Sequence, residues 1–294
     1  MPNQTTYERI TEQMLRMLEE GTAPWRKPWT TLGLRPTSLS TGKAYRGINH
    51  LMLWFVAEEQ GYASPFWGTY KQITERGGQV RKGQKSTTVV LWSQVEDRKN
   101  VDDNGDPLRR WFMKGFNVFN AEQADWQDGT QPEVPTLAER SEVDVLAAAE
   151  EIVQNYVNNG GPTLTFGGDR AFYRPSSDAV RMPERNQFNG TGEFYSTLFH
   201  ELGHSTGHES RLNRDGIVAE HAFGDAVYSR EELVAEFTAA FLCEHVGVLP
   251  AVMDNSAAYI AGWRRALTED AQAVVWAAGK AQKAADLIIG NETE

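Results

Sequence analysis

The chain has 294 residues, of which 40% are hydrophobic and 23% charged, values typical of a globular protein. This length suffices for one large or two medium domains, and the sequence contains no uncharged apolar run of about 18 residues that would cross a membrane. Cys243 is the only cysteine, which excludes an intrachain disulfide and predicts nitrogen and oxygen ligands for any metal site. The N-terminus contains acids throughout and lacks the pattern of a secretory signal, so we expect a cytoplasmic protein without a membrane partner.

The net charge of -11 is distributed unevenly along the chain. Residues 1–125 contain 17 Lys and Arg against 14 Asp and Glu, a balance of +3, whereas the remainder contains 12 against 26, a balance of -14. Residues 21–95 hold ten basic and three acidic side chains together with five of the nine tryptophans. This contrast predicts two parts of the chain with different roles.

Hydrophobic periodicity predicts three helices in the first part, over residues 6–20, in "RGINHLMLWFVAEEQG" up to Gly61, and from about Thr69. The runs "STTVVLWSQV" and "RRWFMKGFNVFN" are rich in β-branched and aromatic residues and predict two antiparallel strands. The segment between them, "EDRKNVDDNGDPL", is rich in turn formers and predicts a long loop. Prolines and acids in "ADWQDGTQPEVPTLAE" predict a linker, which gives domain boundaries of 1–125, 126–139 and 140–294.

The second part is predicted to begin with a helix over residues 141–158, followed by short strands near "LTFGG", "AFYRP" and "AVRMP". Further helices are predicted around residues 192–206, 229–246 and 256–289, the last broken into two.

The strongest chemical signal is the segment "TLFHELGHSTGH", residues 197–208. His200 and His204 are four residues apart, so on a helix both imidazoles project from one face and reach a single ion. Glu201 then lies beside the first ligand, as in the H-E-x-x-H arrangement in which a glutamate takes a proton from a metal-activated water. The uncharged flanks favour a buried helix, although a helix with two exposed or hydrogen-bonded histidines remains the alternative.

A catalytic zinc site needs a third protein ligand. The H-E-x-x-H-x-x-G-x-x-H pattern fails here, because Gly207 fits but Ser210 occupies the position of the third histidine. A glutamate on a following helix is the other route, and "SREELVAEF" offers Glu232 as ligand with Glu236 one turn later to accept an imidazole N–H.

Three other side chains compete for the role of third ligand: Glu231, His208 and His221. Glu232 also has a competing structural role, because Ser229-x-x-Glu232 forms a capping box that would open the helix.

Three tyrosines are candidate hydrogen-bond donors to a developing oxyanion, namely Tyr173, Tyr195 and Tyr228. Each is also explained as a packed aromatic whose hydroxyl is hydrogen-bonded. The segment "AFYRPSSDAVRMP" before the H-E-x-x-H helix is a candidate edge strand along which an extended peptide would pair.

Aromatic and basic residues alternate in the first part, a composition that suits single-stranded DNA because bases stack on aromatic faces while cations follow the phosphates. The alternative is that the tryptophans are core residues and the cations are solvated. The candidate DNA-binding residues are Trp25, Arg26, Lys27, Trp29, Arg46, Trp67, Lys71, Arg81, Lys82 and Lys85.

Several long motifs resemble those of the plasmid-borne ArdC-type antirestriction proteins and of the N-terminal part of TraC-type primases. They are "WRKPW", "GKAYRGIN", "YKQITERGGQVRKGQKSTTVVLW", "FYRPSSDAVRMPERNQF", "TLFHELGHSTGHESRLNRD" and "YIAGWRRAL". The resemblance implies an α+β protein in which an N-terminal α/β domain that binds single-stranded DNA precedes a zincin-like metalloprotease domain. It also implies protection of incoming plasmid DNA from host restriction during conjugation. Carried over by position, the metal motif falls on His200, Glu201 and His204, with Glu232 as third ligand.

The resulting expectation is a protein that binds single-stranded DNA without sequence preference and hydrolyses peptides with Zn²⁺, or with Mn²⁺ or Co²⁺ in its place. The protein substrate is unknown, with a host restriction component as one candidate. The competing hypothesis is a DNA-binding protein whose metal is structural or vestigial and which protects DNA by occupancy or partner binding. A metal-dependent nuclease is disfavoured, because phosphodiester sites use carboxylate-rich Mg²⁺ centres.

Overall fold

The fold is described from a computed structural model, which covers residues 5–19, 34–101, 107–136, 141–218, 226–248 and 257–291. The chain divides into two compact units, one of residues 1–12 and 35–134 and the other of residues 13–34 and 135–294. The helix α1 (Thr6–Glu19) contributes to both units. None of the helices in the described ranges combines the length and the apolar composition of a membrane-spanning segment.

The first unit contains a four-stranded sheet in the order β1-β2-β5-β4, formed by β1 (Thr37–Ser38), β2 (Phe66–Gly68), β4 (Thr87–Val101) and β5 (Pro107–Asn120). The strand β1 is parallel to β2, and the other pairs are antiparallel. A separate antiparallel pair joins β3 (Gly78–Val80) to β6 (Ala124–Trp126). The helices α2 (Gly47–Gln60) and α3 (Tyr70–Glu75) complete the unit.

The predicted helices of this unit are confirmed, and their ends follow from local chemistry. The helix α2 ends at Gly61, whose φ of 69° is in the left-handed region that glycine adopts without strain. The helix α3 begins after Thr69, whose hydroxyl accepts the Gln72 N–H while the Gln72 side chain accepts the Thr69 N–H.

The prediction of a long loop between the two hairpin strands is wrong. The strand β4 continues to Val101 and β5 begins at Pro107, with a register irregularity between Asp97 and Val101. Cross-strand pairing has overridden the turn propensity of this polar segment, because strand propensity depends strongly on the neighbouring strand. The predicted linker 126–139 also overlaps β6, in which Trp126 pairs with Gly78.

Trp67 is a core residue and not a surface residue, which corrects its predicted role in DNA binding. The side chain is only 1% exposed, and its ring meets Tyr62 edge-on at a centroid distance of 6.1 Å. An indole buried to this extent has no free face on which a base could stack.

We therefore expect Trp67→Ala to lower the free energy of unfolding by about 3 to 5 kcal/mol, the usual cost of removing a large buried aromatic side chain. Chemical denaturation of the full chain measures this loss. A variant that retained wild-type stability but lost DNA binding would instead support the original DNA-binding prediction.

The second unit combines a small sheet with a helical layer. After α4 (Glu142–Asn158), β7 (Thr163–Phe166), β8 (Phe172–Arg174) and β9 (Ala179–Met182) form a sheet in the order β7-β9-β8. The helices α5 (Thr191–Ser205), α6 (Asp215–Val218), α7 (Ala226–Val246), α8 (Ala257–Glu269) and α9 (Ala273–Ile289) follow. The predicted break in the last helical segment is confirmed, since α8 and α9 are separated at residues 270–272.

The helices α5 and α7 pack closely because Gly203 lies between them. A Cβ atom at this position would lie 3.2 Å from both the Ala235 Cα and the Thr238 Cβ atoms. Leu198, Phe199 and Leu202 of α5 and Leu233, Val234 and Phe237 of α7 are buried and form part of the apolar core. The glycine within "HELGH" therefore sets how near the side chains of α7 come to the two histidines.

Candidate metal centre

His200 and His204 lie on the same face of α5, as their spacing predicts. Their ring centroids are 4.7 Å apart and their Nε2 atoms are 3.1 Å apart. Both imidazoles are largely buried, with 19% and 13% of the side chain exposed. The helix thus presents two imidazole nitrogens to one small volume of the domain interior.

Glu232 of α7 completes this arrangement. Its Oε2 atom lies 3.5 Å from His200 Nε2, and its Oε1 atom lies 3.4 Å from His204 Nε2. Among the residues that the structure describes, His200, His204 and Glu232 form the one group of three or more possible ligands whose donor atoms converge within 4.8 Å.

These separations fit a tetrahedral metal site. Ligand atoms about 2.0 to 2.2 Å from a tetrahedrally coordinated ion are about 3.3 to 3.6 Å from one another. The distances of 3.4 and 3.5 Å, which involve different oxygens of Glu232, fall in this range, and the 3.1 Å between the two Nε2 atoms is slightly shorter. Two imidazoles and one carboxylate are also a common donor set of catalytic zinc sites.

The start of α7 explains why the Glu232 carboxylate is available. The helix begins at Ala226, three residues before the predicted start, so Ser229 lies within the helix and does not cap it. The capping-box interpretation is therefore wrong, and Glu232 projects from the helix toward α5.

Carboxylates also face the outer nitrogens of both imidazoles. Glu236 Oε1 lies 3.7 Å from His200 Nδ1, on the side where the sequence predicts an acceptor. Glu231 Oε1 lies 3.4 Å from His204 Nδ1. A carboxylate at Nδ1 favours the tautomer that leaves the lone pair on Nε2, the nitrogen directed at the cluster.

The electrostatics of the cluster favour positive charge. Burial on its own would lower the pKa of His204, but hydrogen bonds with Glu231 and Glu232 raise that pKa well above its usual value. Burial would also lower the pKa of His200, but its hydrogen bond with Glu232 raises that pKa above the usual value. Burial would raise the pKa of Glu232, yet its hydrogen bonds with the two histidines lower it. The ionised carboxylate therefore favours either imidazole protons or a cation between the three side chains.

The other candidate third ligands lie elsewhere. Glu231 faces His204 Nδ1 and not Nε2, so it lies on the side of the imidazole away from His200 and Glu232. The Nδ1 atom of His208 lies 2.8 Å from Ser210 Oγ, and His208 is not part of the converging group. His221 lies outside the described residues.

The candidate oxyanion donors that the structure describes are engaged in other hydrogen bonds. The Tyr173 hydroxyl donates to Asp178 Oδ1 at 2.9 Å, and the Tyr195 hydroxyl donates to Glu150. The side chain of Tyr228 lies outside the described residues. These contacts agree with the alternative in which the tyrosines are packed aromatics with satisfied hydroxyls.

Comparison with known proteins gives matches to both units. Residues 4–119 match the N-terminal domain of the anti-restriction factor ArdC, and residues 149–280 match a family of zincin-like metallopeptidases. A crystal structure of the antirestriction ArdC protein from plasmid R388, in a metal-free state, is 36% identical. It covers 99% of this chain and 100% of its own, with a TM-score of 0.73.

The chain belongs to the ArdC antirestriction family. A Mn(II)-bound structure of the R388 protein is 38% identical, covers 98% of each chain and has a TM-score of 0.74. The uncharacterized protein y4eC of Sinorhizobium fredii is 37% identical over 98% of this chain and 92% of its own length. A DNA primase TraC of Escherichia coli is also 37% identical, over 97% of this chain but only 27% of the primase.

The structure separates the DNA-binding candidates of this ArdC-type protein into three groups. Trp25, Arg26, Lys27 and Trp29 lie outside the described residues. The side chains of Arg46, Lys71, Arg81, Lys82 and Lys85 are exposed, whereas Trp67 is buried.

Lys71 and Arg81 interact with other residues of the first unit. Lys71 pairs with Glu75 one turn later, at 3.5 Å on the surface of α3. The Arg81 guanidinium donates to the carbonyls of Glu122 and Ala124 and lies 3.3 Å from Asp125, so it joins β3 to β6.

Sequence reasoning missed two buried or largely buried arginines that follow the H-E-x-x-H helix of this ArdC-type protein. Arg211 pairs with Asp178 and donates to the Ser205 carbonyl at 2.9 Å, which ties the end of α5 to the sheet. Arg214 pairs with Glu231. The only sequence signal was the length of the motif "TLFHELGHSTGHESRLNRD", which continues past the histidines as far as these arginines.

Proposed function

We propose that this protein is a plasmid antirestriction factor in which the second unit is a metal-dependent peptidase and the first unit binds single-stranded DNA. The observation that carries the peptidase assignment is the convergence of His200, His204 and Glu232 within 4.8 Å in a zincin-like domain. Zn²⁺ is the expected ion. Mn²⁺ is the principal alternative, because the R388 relative has been crystallised with Mn(II).

Each residue of the site has a separate role in this proposal. His200, His204 and Glu232 would hold the ion, which supplies Lewis-acid polarisation and a water of lowered pKa. Glu201 is 9% exposed and is not one of the three converging ligands. Its carboxylate is assigned as general base, which accepts a proton from water at one Oε atom and later gives it to the leaving amine.

The small sheet suggests how a peptide substrate would be held. In the order β7-β9-β8, the strand β9 is central and β8 is at an edge. The predicted edge strand therefore corresponds only to Phe172–Arg174, since the later residues Ala179–Met182 are paired on both sides. An extended peptide would add to β8 by backbone hydrogen bonds.

A cavity in the first unit supports the DNA-binding part of the proposal. Its volume is about 560 Å³, and its lining includes Tyr70, Gln79, Arg81, Lys82 and Gln84. Tyr70 is 50% exposed, and its hydroxyl accepts a hydrogen bond of 2.7 Å from Gln79 Nε2, which restrains the ring. A restrained aromatic face beside exposed cations suits a stacked base whose phosphates meet lysines.

Salt dependence and the Tyr70 ring provide the test of DNA binding. If four phosphates are contacted, raising the salt from 50 to 200 mM should weaken binding of an oligo-dT strand about 50-fold. Tyr70→Ala should weaken it by a further factor of about 5 to 150, the equivalent of one lost base stack. Fluorescence anisotropy with labelled oligonucleotides measures both effects.

Tyr70→Phe is the matched control, because it keeps the ring and removes only the hydroxyl. It should remain close to wild type. An affinity for DNA that does not change with salt would contradict phosphate contacts. Equal binding by the Ala and Phe variants would show that the Tyr70 ring does not contact DNA.

A further inference from the structure

A buried ion pair lies directly behind the second imidazole of the proposed metal site. Arg214 is 3% exposed and Glu231 is 2% exposed. The guanidinium meets the carboxylate side-on, with Nε 2.9 Å from Oε2 and Nη2 2.5 Å from Oε1. Removing two charges from water is unfavourable unless both groups are fully engaged, so this pair calls for a specific explanation.

Arg214 also binds the C-terminal end of α5. Its Nη1 atom donates to Thr206 Oγ1 at 2.6 Å, and its Nη2 atom donates to the Gly203 carbonyl at 2.9 Å. The same side chain therefore joins α5, which carries the histidines, to α7, which carries Glu231. A guanidinium is suited to this because its donors form a rigid planar fork.

The chain after α5 is shaped around this ion pair. A Cβ atom at Gly216 would lie 2.8 Å from the Glu231 Cβ atom, and one at Gly207 would lie 3.0 Å from the Arg214 Cζ atom. Both glycines thus permit a close approach that any larger residue would obstruct. The segment following the histidines is packed to hold the pair in one position.

The Glu231 carboxylate is shared between the arginine and the metal site. Its Oε1 atom accepts from Arg214 Nη2 and also lies 3.4 Å from His204 Nδ1. An ionised carboxylate only accepts hydrogen bonds, so the contact with Nδ1 requires the imidazole proton on that nitrogen. Nε2 is then the nitrogen of His204 that would give its lone pair to an ion held with His200 and Glu232.

We propose that Arg214 is a positioning residue for the metal site, which fixes the Glu231 carboxylate and through it the orientation and tautomer of His204. This inference rests on the proposed metal site and adds to it a residue that contacts neither ion nor substrate. Loss of such an outer partner commonly weakens metal binding by a factor of about 10 to 100.

Metal binding by the full-length protein tests this role, with Co²⁺ as the probe. Arg214→Met should weaken the Co²⁺ affinity about 10- to 100-fold, measured by competition with a chromophoric chelator. It should also alter the visible absorption of the Co²⁺-loaded protein, because the orientation of His204 changes. Glu231→Gln, which is nearly isosteric, should produce the same two effects and serves as the second variant if Arg214→Met does not fold.

Arg211→Met is the matched control. Arg211 also binds the end of α5 and a carboxylate, but in the described part of the chain its guanidinium donates to Ser205, Gly160 and Asp178 and not to His200 or His204. This variant should lower the melting temperature of the metal-free protein while leaving the Co²⁺ affinity and spectrum unchanged. If Arg214→Met and Arg211→Met weaken Co²⁺ binding equally, or if neither does, the positioning role is overturned.

The metal site and the positioning role of Arg214 are contradicted by different results. If wild-type protein binds no Co²⁺, Zn²⁺ or Mn²⁺, the metal site itself is wrong and the role of Arg214 fails with it. If wild type binds Co²⁺ and His204→Ala abolishes this binding, an unchanged Arg214→Met variant overturns the positioning role alone.

Discussion

Replacing Glu201 by glutamine is expected to lower metal-dependent peptide hydrolysis by about 10²- to 10⁴-fold, the usual contribution of a general base. Glutamine has nearly the same shape but cannot take a proton from water. Because Glu201 is not among the three converging ligands, the bound metal should be retained at the wild-type ratio. Cleavage of a fluorogenic peptide library by the Zn²⁺- and Mn²⁺-loaded proteins measures the first effect, and elemental analysis measures the second.

The same variant separates the two hypotheses for antirestriction. If proteolysis protects incoming DNA, Glu201→Gln should lose protection in a conjugation assay with a restricting recipient. Full protection by a variant that folds and retains metal would favour DNA occupancy or partner binding. Glu209→Gln is the control for the loss of one negative charge, because Glu209 is an exposed acid that follows the H-E-x-x-H segment.

Glu232→Ala is expected to weaken binding of Zn²⁺ or Mn²⁺ by more than about 100-fold, beyond the effect of losing an outer partner. The Glu232 oxygens lie 3.4 and 3.5 Å from the two Nε2 atoms, and α5 alone supplies only the imidazoles. Without this carboxylate, both histidines also lose one of the groups that favour positive charge on their rings. Isothermal titration with each metal measures the loss.

Glu209→Ala again serves as the control and should bind metal like wild type. Near-normal affinity in Glu232→Ala would mean that another group completes the site. His208 and Glu231 would then be tested next as ligands, although the structure places both outside the converging cluster.

The sequence predicted those features that depend only on residues close together in the chain. The spacing of His200 and His204 places both imidazoles on one helical face in any α-helix, so that half of the site follows from the motif alone. Helix ends at Gly61 and Thr69 were predictable for the same reason, because capping depends on neighbouring residues. The uneven charge between the two parts of the chain likewise needed only the sequence.

Burial and long-range approach were decided by the tertiary structure. The tryptophans look alike in sequence, yet Trp67 is sealed in the core because β2 pairs with β5, a contact between residues far apart in the chain. The hairpin strands extended through a polar segment because each stabilises the other.

The sequence by itself predicted a helix with two imidazoles and an adjacent carboxylate, and it favoured Glu232 as third ligand with Glu231 as an alternative. Only the packing of α5 against α7 across Gly203 determines which side of the imidazoles each glutamate faces. That packing turns Glu232 toward Nε2 and Glu231 toward Nδ1, where Arg214 holds it. Adjacent residues on a helix project about 100° apart, so glutamates at neighbouring positions of α7 face different nitrogens of the histidines.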